Sequence, residues 1–253
     1  MSVSSREKWK SWFKNSSSVC IHLKILAIIP ARGGSKRIPK KNLRLLGGKP
    51  LINWSITSAL AIEEICDTLV STDDKRIAKT AKAAGAEVPW LRPKELATDQ
   101  ASSVDVTIHA LDWYESKNGS IDGILLLQPT SPFRTIETIL KGISLFKTSG
   151  LQSVVGVSPI RFDPKIIFEL QNGHLTPAKQ ALFKNVELNE LSKYFALNGC
   201  FYLISPKELR KNRTFIGTQT LPLIVDSFME ALDIDTEYDF QTAILLSQLE
   251  KLL

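Results

Sequence analysis

Residues Leu26 to Pro50 read LAIIPARGGSKRIPKKNLRLLGGKP, a short apolar run that passes directly into a glycine loop. The loop carries Arg32, Lys36, Arg37, Lys40, Lys41 and Arg44. A buried strand that ends in this way narrows the possible folds sharply. Glycines let main-chain N–H groups approach an anion closely, and the cations offset its charge. Runs of charge more often mark a solvated face, but the place of this one, directly after the first strand, favours a polyphosphate loop. The spacing is neither GxxxxGK[ST] nor GxGxxG.

Downstream, strand-like and helical patterns alternate. Thr68 to Ser71 and Gly123 to Leu127 are apolar runs of strand length, the second continuous enough for a strand covered on both faces. Pro50 to Ile62, Asp73 to Ala84 (stopped by Gly85), Ser103 to Ser116 and Thr135 to Thr148 have helical spacing. Glu87 to Pro89 reads as a brief strand, and Ser153 to Val157, Phe201 to Ile204 and Leu221 to Val225 as further strands. A closing amphipathic helix spans Glu237 to Leu253. This rhythm predicts an α/β fold with a mostly parallel sheet and helices on both faces. Ligands of such sheets sit beyond the carboxyl ends of the strands. The glycine loop, Ser71 to Asp74 and Gln128 to Arg134 should therefore line one crevice.

The rhythm breaks between about Pro159 and Leu197. There Gln171-Asn172-Gly173 marks a β-hairpin between Ile166 to Leu170 and His174 to Leu175. This insertion is too short for a core of its own and should pack on the main domain or on a second subunit. The domain is expected over 19–253, after a basic, serine-rich and flexible tail at 1–18 that lacks the apolar centre of a secretory signal.

Two further segments carry chemistry. In an extended Asp233-Ile234-Asp235, alternate side chains share a face. Two carboxylates on one face suit Mg²⁺ (or Mn²⁺), which completes its octahedron with water and phosphate oxygens. Thr236 with Asp239 fits a capping box, with Thr236 as the N-cap of the last helix. Gln128-Pro129-Thr130-Ser131-Pro132-Phe133-Arg134 closes the central strand with small polar groups and an arginine, which read as substrate contacts.

The net charge of +6 over 253 residues fits anionic substrates. No aromatics interleave with the cations as a nucleic-acid platform requires, so no nucleic acid is expected. No apolar run approaches the ~20 residues of a membrane span. Cys20, Cys66 and Cys200 show no metal-ligand spacing and read as buried free thiols of a reducing cytoplasm. His22, His109 and His174 match no triad or metal pattern.

ARGGSKRIPKKN, VSTDD, LRPKELATDQASS, LLLQPTSPFRT, ALNGCFYLI and DIDTEYDF occur in series. On these motifs the chain, from about Leu26 to Leu249, resembles the acylneuraminate cytidylyltransferases, which activate nonulosonic acids. The resemblance implies a Rossmann-like nucleotide-diphospho-sugar transferase fold with an inserted dimerisation arm at about 159–197, a homodimer, and CTP and a nonulosonic acid as substrates. It implies that Arg32, Gly33, Lys36, Lys41, Asn42, Arg92 and Ser103 bind the nucleotide. Gln128, Asn198, Tyr202 and Phe215 would line the sugar pocket, with Lys165 near a lysine that the family supplies from the partner subunit. Asp233 and Asp235 would hold the metal, and with Arg32 and Lys41 would be the catalytic set. Leu188 falls where members that take sialic acid carry an arginine, and the GGSKRIP form of the loop also resembles enzymes for pseudaminic and legionaminic acids. The motifs therefore define the reaction more closely than the sugar. The alternatives are the same reaction on another 2-keto-3-deoxy acid, such as pseudaminic acid, legionaminic acid or 3-deoxy-manno-octulosonate, or a non-catalytic CTP-binding regulator.

Overall fold

The computed structural model describes residues 23–160, 166–177 and 193–249. The tail at 1–18, Cys20, His22, Lys165 and Leu188 lie outside these residues. The first strand, β1 (Ile25–Pro30), is buried along almost its whole length. Strands β2 (Leu45–Leu46) and β3 (Lys49–Pro50) form a small hairpin. Its two turn residues, Gly47 and Gly48, both have positive φ, as a two-residue turn of this kind requires. Pro50 then opens α1 (Leu51–Leu60). Next come β4 (Ile65–Ser71), α2 (Lys75–Ala83), α3 (Ser103–Asn118), β5 (Gly123–Leu126) and α4 (Ile136–Thr148). Each of these three helices starts with a hydroxyl or carboxylate cap, from Asp74, Ser102 and Thr135.

After β6 (Ser153–Pro159) come β7 (Phe168–Gln171) and β8 (His174–Pro177), joined by Asn172-Gly173, both at positive φ, as the dipeptide foretold. The chain returns through β9 (Phe195–Ile204), α5 (Pro206–Asn212), β10 (Leu221–Ile224) and α6 (Glu237–Leu249).

The six-stranded sheet has the order β10-β6-β9-β5-β1-β4. Its pairs are parallel except those of β9, which is antiparallel to both β5 and β6. The expected mostly parallel sheet is thus observed, with one reversed strand that apolar patterning cannot orient. Alternation along β1 assigns its two faces. Ile25, Ala27 and Ile29 pack with Ile52 and Ile56 of α1, Ile77 of α2 and Ile143 of α4. Leu26 and Ile28 pack with Ala110 and Leu111 of α3 and Leu209 of α5. A third cluster lies at the carboxyl end of the sheet, where Ile38, Leu51, Phe133 and Ile234 meet Phe240 and Ala243 of α6.

Two expectations change. Glu87 makes only an isolated bridge to Leu69, so 87–89 is not a strand of the sheet. Cys66 is exposed rather than buried; it is the extra residue where the β1–β4 register shifts between Ile65 and Asp67, and its Sγ donates to the Ile25 carbonyl at 3.2 Å. Helix α5 stands between β9 and β10. No helix among the described residues is long and apolar enough to cross a membrane.

Gly142 lets α4 lie against the sheet. A Cβ there would fall 2.2 Å from the Phe201 ring, which is itself fully buried. Gly142→Ala is expected to lower stability by about 1–3 kcal/mol through overpacking, despite alanine's better helix propensity. Urea denaturation of the two proteins measures this directly.

Candidate active site

A cleft of about 490 Å³ opens at the carboxyl ends of β1 and β5. One wall carries Arg32, Lys36, Arg37 and Lys41 of the glycine loop; Gln128, Pro129 and Thr130 line another side, with Asp99 and Asp235 at the rim. The loop is shaped by packing as much as by charge. A Cβ on Gly33 would sit 2.8 Å from the Asp74 Cβ, so only glycine lets the loop close on the start of α2. The Gly33 N–H donates to Asp73 Oδ1 at 2.8 Å. That amide, expected to face an anion, is therefore committed within the protein, and the cations carry the positive field. Asn42 is buried and donates to the Arg32 carbonyl at 3.0 Å, which places it as a brace of the loop.

Lys41 joins the basic wall to the acidic segment. Its Nζ donates to the Ile234 carbonyl at 2.7 Å and lies 3.7 Å from Asp235 Oδ1. Burial pulls its pKa below the ordinary lysine value, against the pull of Asp235 and Asp233. Arg37 pairs with Asp235 at 3.3 Å. Arg32 and Lys36 both pair with Asp99.

Ile234 anchors the acidic segment. Its side chain is fully buried, which contributes roughly 1.5–3 kcal/mol. Its N–H donates to the Thr130 carbonyl at 2.8 Å. With Ile234 turned inward, Asp233 and Asp235 are both turned to solvent, as alternation predicted. Asp233 is open to the crevice yet ringed by protein. Burial raises its pKa, a hydrogen bond from Thr130 opposes the rise, and the Asp235 charge adds to it. The capping box is present. Asp239 Oδ2 accepts from Thr236 N at 2.7 Å and from Thr236 Oγ1 at 2.8 Å, while Asp239 N donates to Thr236 Oγ1 at 3.3 Å. Burial works to raise the Asp239 pKa, but these Thr236 bonds hold it below the usual range. Among the described residues, no three His, Cys, Asp or Glu cluster as a metal site. A divalent ion here would have two protein carboxylates and take its other ligands from water and phosphate, a donor set that fits Mg²⁺.

The far end of the crevice depends on an arginine that the sequence reading placed among the substrate contacts. Arg134 is instead buried. Its guanidinium donates to the Gln128 carbonyl at 2.6 Å, the Cys200 carbonyl at 2.8 Å and Ser55 Oγ at 2.8 Å. Burial lowers its pKa to about 10, so it stays charged at neutral pH. Cys200 lies in a bulge of β9, where pairing with β6 passes from Val155–Tyr202 to Val157–Leu197. Gly156 makes room for that bulge, since a Cβ there would meet Asn198 Oδ1 at 2.6 Å and Cys200 Sγ at 2.8 Å. At its crest Gly199 has φ +75°, and the space over its Cα is bounded by Asp233, Gln128 and Ser131.

The remaining candidates divide. Tyr202 is partly open; burial raises its pKa, and the nearby charges of Asp233 and Cys200 act the same way. Phe215 is buried behind it, with ring centroids 5.5 Å apart. Asn198 is buried, donates to Ser158 Oγ at 3.0 Å and accepts from the Cys200 N–H at 3.2 Å, so its amide holds the bulge. Arg92 is buried with its Nε 3.0 Å from Ser71 Oγ and NH1 3.4 Å from the Leu96 carbonyl, which ties the end of β4 to the loop that follows. Burial lowers its pKa to about 10. Ser103, the first residue of α3, is exposed. Asp99 and Gly156 were not singled out from the sequence, and Asp73 entered only as part of the Ser71 to Asp74 stretch. A lone glycine inside the apolar Val154-Val155-Gly156-Val157 run was the one available signal, since it marks a bulge or a close backbone approach.

The Cytidylyltransferase family matches residues 26–252. The chain belongs to this family. This cytidylyltransferase is 42% identical to the CMP-N,N'-diacetyllegionaminic acid synthase of Legionella pneumophila, over 90% of this chain and 98% of the relative. It is 35% identical to an N-acylneuraminate cytidylyltransferase of Escherichia coli, over 89% of this chain but 52% of that protein. A pseudaminic acid cytidylyltransferase of Campylobacter jejuni is 29% identical over 88% of this chain and 96% of its own. Among solved structures, a CMP:2-keto-3-deoxy-manno-octonic acid synthetase complexed with CTP superposes with a TM-score of 0.67 at 18% identity, covering 90% of this chain and 99% of that one. That likeness establishes the nucleotidyltransferase fold of this cytidylyltransferase.

Arg134→Lys keeps the charge but cannot reach three acceptors in three directions. It is expected to cost at least about 2 kcal/mol of stability and to lower kcat at least about tenfold, because freed buried carbonyls are expensive and the turn at Gln128 loses its brace. Thermal denaturation and steady-state turnover check the two effects.

Proposed function

We propose that the protein joins CTP to a nonulosonic acid of the N,N'-diacetyllegionaminic or N-acylneuraminic kind, releasing pyrophosphate. The observation that carries this reading is one crevice in which a wall of four cations faces Asp235, with Lys41 of that wall bonded to the Ile234 carbonyl and 3.7 Å from Asp235. The anomeric hydroxyl of the acid attacks the α-phosphorus. The bond to the β-phosphate oxygen breaks, pyrophosphate leaves with the electron pair, and the hydroxyl proton passes to solvent. Arg32, Lys36 and Lys41 bear the leaving group's charge, so catalysis is mainly positioning and electrostatics. Asp233 and Asp235 would hold Mg²⁺, which when bound neutralises phosphate charge. Gln128 and Tyr202 would meet the sugar and Ser103 the nucleotide, while Arg92 braces the loop behind the site. An exposed free thiol at Cys66 suits work in the cytoplasm.

Pyrophosphate release tests this reading, with CTP, Mg²⁺ and a parallel set of N,N'-diacetyllegionaminic, N-acetylneuraminic, pseudaminic and 3-deoxy-manno-octulosonic acids. Release with one of the first two acids, abolished by EDTA, is expected. Asp233→Ala should lower turnover by about 10²-fold or more while CTP still binds. Full activity in that variant removes the metal assignment.

A homodimer belongs to the same proposal. The β7–β8 hairpin is a two-stranded sheet separate from the main one, and such hairpins are marginal alone in water. Its facing pair Leu170 and Leu175 are 74% and 70% exposed, with Ile166 and Phe168 exposed beside them. A second copy of this chain would cover that apolar face, and Lys165, which the resemblance sets near the partner's site, directly precedes Ile166 in the sequence. Leu175→Asp is expected to convert a dimer to a monomer in sedimentation and to lower turnover together with it. A dimer that survives the substitution would exclude the hairpin as the interface.

A further inference from the structure

The segment after Arg92 bends back over the mouth of the cleft. It is held by short-range bonds, with Ala97 N donating to the Lys94 carbonyl at 3.0 Å and Ala101 N to Thr98 Oγ1 at 3.2 Å. Its tip carries Asp99. One carboxylate oxygen of Asp99 lies 2.7 Å from Arg32, and the other pairs with Lys36. These are two of the cations assigned above to the phosphates. The carboxyl is held below its ordinary range by Lys36 first and Arg32 second. By contrast, Arg37 and Lys41 pair with Asp235 on the opposite side of the cleft.

A single carboxylate thus takes the two positions that a phosphate with two free oxygens would take, on a loop that contributes no strand to the sheet and is tied to β4 through Arg92. We propose that Asp99 is an internal counter-anion for the phosphate site: it is displaced from Arg32 and Lys36 when a polyphosphate enters, and it reclaims them as pyrophosphate leaves. The inference rests on the CTP reading above. Exposed pairs of this type are weak, so the loop is displaceable. Apparent affinity falls in proportion to the fraction of molecules in which the contact is open. The same competition keeps the site from holding its charged product tightly.

The test is calorimetric titration of the full chain with inorganic tripolyphosphate and, separately, with CTP, at low salt and without added divalent cation. Wild type, Asp99→Asn, Asp99→Ala and Glu137→Gln are compared. Glu137, which pairs with Lys141 on the outer face of α4, is the control for loss of a surface charge. Both Asp99 variants are expected to bind both ligands about 3- to 10-fold more tightly than wild type, with the gain shrinking as salt rises. Glu137→Gln should bind as wild type does. Unchanged or weaker binding in the Asp99 variants overturns the inference, as does an equal gain in Glu137→Gln. Wild type that takes tripolyphosphate but not CTP overturns the nucleotide reading instead, and the Asp99 comparison on tripolyphosphate still stands.

Discussion

The Arg134 guanidinium is the constraint on which the Gln128 side of the crevice rests. It is a buried cation satisfied by two carbonyls and a hydroxyl, drawn from the end of β5, the β9 bulge and α1. Leaving any of these acceptors unpaired in the interior would cost more than the bond is worth in water. The three elements are therefore held in one relation, and the turn that presents Gln128, Thr130 and Ser131 is fixed before any ligand arrives. Gly156 and Gly199 complete the arrangement from the other side, by giving the bulge room to form and to approach Asp233. A site that works by positioning needs such rigidity behind it rather than in the groups that touch substrate.

The acidic segment reaches its place by a different route. Nothing in a regular strand or helix holds Asp233 and Asp235. The segment is fixed by burial of Ile234 against Phe240 and its neighbours, by main-chain bonding to Thr130, and by Lys41 reaching across to the Ile234 carbonyl. The Thr236 and Asp239 cap then turns the chain into α6. An apolar residue between two carboxylates is thus what aims them.

Most of the fold was legible from periodicity. Burial on both faces wrote itself into the apolar run of β5, and Gly85, Asn172-Gly173 and Thr236 marked turns and caps where local chemistry decides the conformation. The direction of β9 was not legible, because an apolar strand looks the same in either orientation and only the sheet's connections decide. The site divided in the same manner. The cationic loop and the paired aspartates declared themselves by spacing. The roles of Arg134, Arg92, Asn42 and Asn198 did not, since a polar side chain that braces main chain and one that meets a ligand share one letter. Asp99 was hidden for a further reason: its partners are sixty or more positions away and come together only in the folded chain.

Among the described residues, strand β9 is the one that pairs two blocks of the sheet, β4-β1-β5 on one side and β6-β10 on the other. The glycine loop and the Gln128 turn stand on the first block, whereas the Gly199 bulge comes only with β9. Its partners β5 and β6 precede it by dozens of residues, and its pairing with β5 closes a long loop, second in the sheet only to that of the β1–β5 pairing. The glycine-loop end of the crevice, Asp235 apart, is thus encoded in one stretch of chain, and the Gly199 end exists only once a keystone strand has joined the halves. Sequence drift at the keystone can reshape what the protein accepts without disturbing what it transfers.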